Sequence, residues 1–425
     1  MLLARFWKSD RGGVAPIMAL TIVPLIGVAG MAVDYTRASA ARTAMQVSLD
    51  ATALMMSRSA ATQSSAELQA AATDTFNALF NRPSVQNVAV TTTYSSTGGS
   101  TVEMTASGTV RVDFLNVLGF NAINISASTT ATWGNTRLRV ALVLDNTGSM
   151  SQSGKMDALR TASQNFLTQI KDAATAPDDA YVSIIPFNKD VNVNSSNIGE
   201  SWLRWDLWEA ANGLCSKSSY KTQGSCTARS GVWTPANRSS WNGCVTDRDQ
   251  NFDTTNDAPI AGSTLYPAEQ YSSCPVPVMG LSNDWTALSD KIAAMQPNGT
   301  TNQAIGLQMG WQSLTAAPFS VPSLDPNFKY NQVIILLTDG LNTEDRWYDN
   351  ASSINARQQK TCDNIKAAGI TIYAVQVNTG SDPTSTLLQN CASDASKFFL
   401  LTSSEQLVTT FNQIGTALSN LRLAR

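Results

Sequence analysis

The sequence predicts a doubly wound, mostly parallel α/β sheet from residue 136 to residue 425, preceded by a transmembrane helix and a small α+β segment. Three observations predict it. Apolar strands alternate with helical patterns from residue 138 onward, an uncharged run of 22 residues spans Gly12 to Val33, and three runs rich in Thr, Val and Ser lie between them. Buried strands alternating with helices are what a parallel sheet covered on both faces requires. A helix of 22 residues would be about 33 Å long, enough for a hydrocarbon core of about 30 Å.

The elements follow in order. Arg5, Lys8 and Arg11 form a short basic head with Trp7 at an interfacial position, so the positive-inside rule puts the head in the cytoplasm and the rest across the membrane. Pro16 and Pro24 would break a soluble helix and are tolerated in a membrane span. Ala38-Ser39-Ala40 looks like a signal-peptidase site, but the apolar run exceeds the usual h-region, which favours an uncleaved anchor. From Asp34 the pattern stays helical and rich in Ala, Met and Gln, a stalk continuing the span. Residues 63–82 read as another amphipathic helix ended by Pro83. Val85–Tyr94, Thr101–Phe114 and Ile123–Trp133 read as antiparallel strands, a structural spacer without evident chemistry. Then come strands at Leu138–Leu144, Tyr181–Pro186, Val333–Leu337, Ile370–Val377 and Phe398–Leu401. Between and after them stand helices at Lys155–Ile170, Thr286–Met295, Gln303–Leu314, Ser352–Ala368, Ser385–Ala392 and Glu405–Leu421.

Composition excludes several functions. The chain of 425 residues carries 29 basic and 32 acidic residues, net −3, so no general basic surface for nucleic acid is expected. It has no histidine, which removes Ser-His-Asp and Cys-His catalysis and HExxH zinc sites. No catalytic residue is expected. Its six cysteines show no CxxC spacing, so disulfides in an oxidising compartment are expected rather than zinc.

Arg11-Gly12-Gly13, the apolar helix, Val33-Asp34-Tyr35 and Gln46…Asp50-Ala51 resemble the TadE/TadG-like N-terminal module of tight-adherence (Flp) pilus-assembly proteins. Relatives processed by a prepilin peptidase favour Glu at the fifth position after the cleaved glycine; counted from Gly13, Met18 stands there. The resemblance implies an inner-membrane protein of bacteria, single-pass, with its bulk periplasmic or extracellular.

Three loops of the α/β region carry a candidate metal site. VLDNTGSMS holds Asp145, Thr147 and Ser149; NGTTNQAIG holds Thr301; ILLTDG holds Asp339 directly after an apolar strand. Two carboxylates and three hydroxyls suit a hard divalent cation, Mg²⁺ first, with Mn²⁺ or Ca²⁺ as alternatives. Loops at strand carboxyl ends are where doubly wound sheets bind ligands. Taken singly, each motif is also an ordinary turn or helix cap. A P-loop is excluded: five residues separate Gly148 from Gly154, and Met156 replaces the hydroxyl that would hold Mg²⁺. Together the loops resemble a von Willebrand factor type A domain with its metal-ion-dependent adhesion site, D-x-S-x-S…T…D, with Thr147 at a position usually serine. The resemblance implies coordination of an acidic residue of a protein partner, such as a pilus or secretion component. An A domain joined to this N-terminal module resembles a TadG-type pilus-assembly protein. A scaffold with an empty metal site, and a glycosidase using Asp145 and Asp339, are the alternatives.

The expected division is a head at 1–11, a span at 12–33, a pilin-like stalk and β segment at 34–135, and an A-like domain at 136–425 interrupted by an insertion at about 190–282. The insertion holds Cys215, Cys226, Cys244 and Cys274, whose three possible pairings stay open. Cys362 and Cys391 would then pair with each other. Trp202, Trp205 and Trp208 would share one side of a helix and are candidates for a partner face, with burial in the insertion's own core as the alternative. Asp247, Asp249, Asn251 and Asp253 read as a solvated acidic loop rather than an EF-hand, since Phe252 and Ala258 stand at the Gly and Glu positions.

Overall fold

A computed structural model of the chain describes residues 14–60, 63–96, 100–133, 136–315, 318–326, 328–380 and 382–423. The basic head, with Arg5, Trp7, Lys8 and Arg11, lies outside the described residues. The chain divides into two compact units, Met1–Asn135 and Thr136–Ala424.

In the first unit, span and stalk are one helix, α1 (Val14–Met56). Pro16 falls in its first turn, where a backbone N–H has no helical partner, and Pro24 lies inside it. Its N-terminal stretch keeps Leu20, Leu25, Ile26 and Val28 exposed. The stretch Leu20–Met56 is long and apolar enough to cross a membrane. Farther along, Ala38, Ala41, Met45, Leu49, Ala53 and Met56 recur at helical spacing and are buried. They pack on α2 (Ser65–Leu79), which opens with a Ser64–Glu67 capping box, and on a three-stranded antiparallel sheet. The sheet runs β1 (Val85–Ser95), β2 (Ser100–Arg111), β3 (Ala122–Trp133), in that order. Strand β2 stops at Arg111, three residues before the expected Phe114. The next backbone N–H groups, of Asp113, Phe114 and Leu115, donate to the Asp34 carboxylate at 3.2, 2.8 and 2.8 Å instead of to a strand. Likewise α2 ends at Leu79, and Pro83 stands beyond it rather than ending it.

The second unit is built on β4 (Thr136–Asp145), α3 (Lys155–Ala173), β5 (Ala180–Phe187), β6 (Val191–Asn192), α4 (Asp206–Ala211), β7 (Cys244–Val245), β8 (Met279–Ser282), α5 (Trp285–Ala293), α6 (Gln303–Thr315), β9 (Lys329–Thr338), α7 (Ala351–Ala367), β10 (Thr371–Val377), α8 (Thr386–Cys391), β11 (Phe398–Leu401) and α9 (Gln406–Leu423). The sheet order is β7-β6-β5-β4-β9-β10-β11, with β8 also beside β5. Strands β5, β4, β9, β10 and β11 are parallel; β6, β7 and β8 are antiparallel additions. The first strand, β4, lies between β5 and β9, so the chain reverses its winding there. Alternate residues feed two cores. Ala141, Val143, Ile334 and Leu336 face α6 and α7, and Val140, Leu142, Ile335 and Leu337 face α3 and α9. Helix α6 lies close on the strands because it has glycine there; a Cβ on Gly310 would stand 2.5 Å from Val143 Cγ2.

The insertion is stapled by Cys215–Cys226 and Cys244–Cys274, while Cys362–Cys391 ties α7 to α8. Residues 202–208 do not form one helix, since Leu203–Arg204 is extended and α4 begins at Asp206. Trp205 and Trp208 are buried and meet edge to face at 5.7 Å, and Trp205 meets the buried Trp241 at 5.2 Å. Trp202 is half-buried, edge-on to Tyr266. Trp205, Trp208 and Trp241 lie in the same core as Val191, Val193, Leu203, Val245 and Tyr266 of the insertion, so these three rings are buried among apolar neighbours.

The acidic loop is also corrected. Asp247 and Asp253 are buried. Asp253 pairs with Arg357 of α7, and Asp249 bridges Arg204 and Arg346 at 2.6 and 2.7 Å. Asp247 accepts from the Asn302 amide at 2.8 Å and the Arg346 N–H at 3.3 Å. Burial, then the Asp345 and Asp253 carboxylates, push the Asp247 carboxyl up to about 8. Far from being solvated, this loop clamps the insertion onto the segment that carries Thr301.

Candidate metal centre

Parallel strands end their backbone pairing at one edge, and the loops leaving that edge can converge. Here β4 ends on Asp145, and Asp339 follows β9 directly. These two strands are hydrogen-bonded neighbours at the winding reversal, with Leu144 opposite Leu337. The turn after β4 is shaped by Asp145 itself, whose Oδ1 accepts the Thr147 N–H at 2.8 Å. Its Oδ2 accepts the Thr338 hydroxyl at 2.7 Å. Thr147 Oγ1 and Ser149 Oγ lie 3.0 Å apart, and the Ser149 hydroxyl donates to Asp339 Oδ1 at 2.7 Å. Four of the five expected residues thus form one hydrogen-bonded chain.

Thr301 is brought in by its loop. The Gly148 N–H donates to the Gly299 carbonyl at 3.0 Å, and the Asn298 N–H donates to the Asn146 carbonyl at 2.8 Å. On the other side, the Gln303 amide donates to the Gly340 carbonyl at 3.0 Å. The Thr301 loop is therefore held between the loops of Asp145 and Asp339. The Thr301 backbone is pinned in turn by Thr343, whose hydroxyl accepts its N–H at 2.8 Å.

Asp145, Thr147, Thr301 and Asp339 are buried, and Ser149 is exposed at the rim. Burial, and then the charge of Asp339, raise the Asp145 carboxyl to about 6. Two carboxylates facing each other in a buried site need a cation. Lys155, in the first turn of α3, partly supplies one, because its ammonium pairs with Asp339 Oδ2. Motif reading singled out neither Lys155 nor Thr338. The only signals were the Gly-Lys of GSMSQSGKM, read there for phosphate, and the threonine preceding Asp339.

The donor set fits a hard divalent cation. It is all oxygen, it joins two carboxylates to hydroxyls, and four of its five members already touch. Among the described residues no three Asp, Glu, Cys or His side chains gather to hold a metal, so any ion here depends on the hydroxyls.

Residues 264–413 match the von Willebrand factor type A domain family, and residues 12–63 match the putative Flp pilus-assembly TadE/G-like family. The first match starts inside the insertion, so it contains Thr301 and Asp339 but not Asp145, Thr147 or Ser149. No curated protein matches the chain in sequence. Among solved structures, the pilus adhesin SpaC of Lactobacillus rhamnosus GG is 14% identical, with a TM-score of 0.38, over 81% of this chain and 36% of that one. The chain therefore spans 36% of that adhesin's length. The von Willebrand factor domain of the type V pili tip protein Mfa5 of Porphyromonas gingivalis is 12% identical, TM-score 0.38, over 68% of this chain and 97% of that one. Proximal thread matrix protein 1 from the mussel byssus, solved with a zinc-occupied MIDAS motif, is 15% identical, TM-score 0.34, over 67% of this chain and 46% of that one. The chain thus joins a segment that matches the TadE/G-like family of Flp pilus assembly to one that matches the von Willebrand factor type A domain family.

Proposed function

We propose that this chain is a membrane-anchored binding or scaffolding protein of tight-adherence pilus assembly or surface adhesion. Asp145, Thr147, Ser149, Thr301 and Asp339 would hold a divalent cation, Mg²⁺ first, and the partner would be a pilus, secretion or surface protein offering an acidic residue. When bound, the ion supplies an electrophilic centre for that carboxylate. The chain's own residues prepare the site. Asp145 organises its turn, Thr338 holds Asp145, and Ser149 at the exposed rim is the donor that a partner approaches first. The observation that carries the reading is the hydrogen-bonded chain Thr147–Ser149–Asp339 across the ends of β4 and β9.

The anchor reading draws support from α1. Ala38 and Ala41, around the apparent cleavage site, are buried in an unbroken helix, whereas a signal peptidase needs extended chain. The proposed topology puts the head in the cytoplasm and both folded units outside the inner membrane, where three disulfides are compatible with the redox state.

Calorimetric titration of Mg²⁺ and Mn²⁺ into the unit from Thr136 onward tests the site. Saturable binding that is lost in Asp145→Ala, with the fold retained by circular dichroism, is the expected result. Retained affinity in the variant would sink the ligand assignment. One observation favours a second reading, a scaffold without metal. The Lys155 ammonium already neutralises Asp339, and absence of binding in the folded wild-type unit would select that reading.

A further inference from the structure

The first unit carries a basic cleft that the metal centre does not explain. Arg37, Arg82, Arg111 and Asp113, with Ser84 and Gln86, line a cavity of about 600 Å³ between α1, the end of α2 and strand β2. Arg37 pairs with Asp113 at 2.6 Å. Arg82 and Arg111 are exposed, and neither guanidinium has a hydrogen bond or ion pair among the described residues. The cleft thus offers two guanidinium groups without an internal partner.

Its position along α1 says what meets it. The uncharged run ends at Val33, and Arg37 stands four residues farther, about 6 Å along the axis. The polar layer beside a hydrocarbon core is about 5–8 Å thick per leaflet, so the cleft lies at headgroup depth. The loop below it points the same way. A Cβ on Gly30 would stand 2.6 Å from the Phe114 ring, so Phe114 lies against the helix inside the uncharged run. The Asp34 carboxylate pins this loop through the N–H groups of Asp113, Phe114 and Leu115. Phe114 and Phe120 nevertheless remain 45% and 61% exposed to solvent, which bilayer immersion would relieve.

We propose that the Arg37–Arg82–Arg111 cleft binds the phosphate headgroup of an anionic phospholipid, with Phe114 and Phe120 entering the acyl boundary beneath it. Planar guanidinium groups match phosphate oxygens in paired hydrogen bonds, and basic pockets beside membrane helices recognise acidic headgroups in this way. The site would fix the sheet of the first unit flat against the membrane surface, beyond what the helix alone does. The inference rests on α1 spanning a bilayer.

The test uses the full-length chain in neutral detergent, titrated with phosphatidylglycerol or phosphatidylcholine and read by native mass spectrometry. The expected result is preferential retention of phosphatidylglycerol. Arg82→Gln with Arg111→Gln should weaken that preference roughly 30-fold, as for two basic groups at a membrane surface. Arg58→Gln, one charge lost beyond the far end of α1, should leave it intact. Equal retention of both lipids, an unchanged preference in the double variant, or the same loss in Arg58→Gln would overturn the proposal. Full displacement of the lipid by inorganic phosphate would also overturn it, assigning the cleft to free phosphate, and displacement by an acidic peptide alone would assign it to a neighbouring protein. Flotation with phosphatidylcholine vesicles separates the premise. A chain that fails to float overturns the anchor and the inference together, whereas one that floats without lipid preference overturns the cleft alone.

Discussion

Replacing Asp145 by asparagine should stabilise the metal-free A domain while abolishing its response to Mg²⁺. The Asp145 carboxyl is raised from 3.8 to about 6 by burial and by Asp339. Holding it ionised therefore costs about 3 kcal/mol, at about 1.4 kcal/mol for each tenfold change in proton affinity. Between pH 3.8 and about 6 the folded state keeps a proton that the unfolded state has released. Stability in EDTA must then fall as pH rises through that window, with no penalty below it and the full penalty above it. Asparagine keeps the acceptor for the Thr147 N–H and removes the charge, and the Thr338 hydroxyl can turn to accept from the new amide. The variant should match wild type near pH 4 and exceed it by up to about 3 kcal/mol at pH 7.5. Urea unfolding of the unit from Thr136 onward, in excess EDTA from pH 4 to 8, measures this. Asp190 and Asp247 are also raised by burial, so the wild-type curve slopes for several reasons, and the difference between the two proteins isolates Asp145. A variant less stable than wild type at pH 7.5, or a difference that does not vary with pH, would refute the claim that Asp145 is a strained buried charge awaiting a cation.

Further outcomes follow from the same geometry. Lys155→Met removes the ammonium on Asp339 and should tighten Mg²⁺ binding by on the order of tenfold in calorimetry, since a like charge beside a divalent ion is lost; weaker binding would make Lys155 a support of the site rather than a competitor. Opening Cys362–Cys391 with paired serines should cost about 3–4 kcal/mol in urea unfolding, as expected for a bridge closing a separation of 29 residues, and reductant should erase the difference from wild type. Asp34→Ala frees the N–H groups of Asp113, Phe114 and Leu115; hydrogen exchange should show their protection lost while β2 stays protected, and unchanged protection would mean that the loop is held by its apolar contacts.

Much of the fold was legible because it is local. The strands and helices around the sheet are bounded by patterns a few residues long, such as the apolar run of β9 or the Ser64–Glu67 cap. Structure moved most ends by only one to four residues. The winding reversal could be inferred as a class, though not which strands flank β4. The candidate site was legible because each loop carries its own polar signature next to an apolar strand. What was not legible came from distant partners. Asp247, Asp249 and Asp253 read as solvated because Arg346 and Arg357, which bury and pair them, lie about a hundred residues away. The tryptophans read as a possible face because spacing reports a side only when a helix forms, and Leu203–Arg204 is extended.

The sequence by itself determined the long apolar N-terminal helix, the alternation of strands and helices, the even set of cysteines and the oxygen chemistry of the candidate site. Those depend on composition and short-range periodicity, which a chain carries into any fold. Only the tertiary structure decided that β4 and β9 are neighbours, so that Asp145 and Asp339 face one another. It likewise set Lys155 against Asp339, the insertion against the Thr301 loop, and three arginines into one cleft. The physical reason is range: burial and charge pairing act across space, and the residues that settle them are separated by more chain than any local pattern spans.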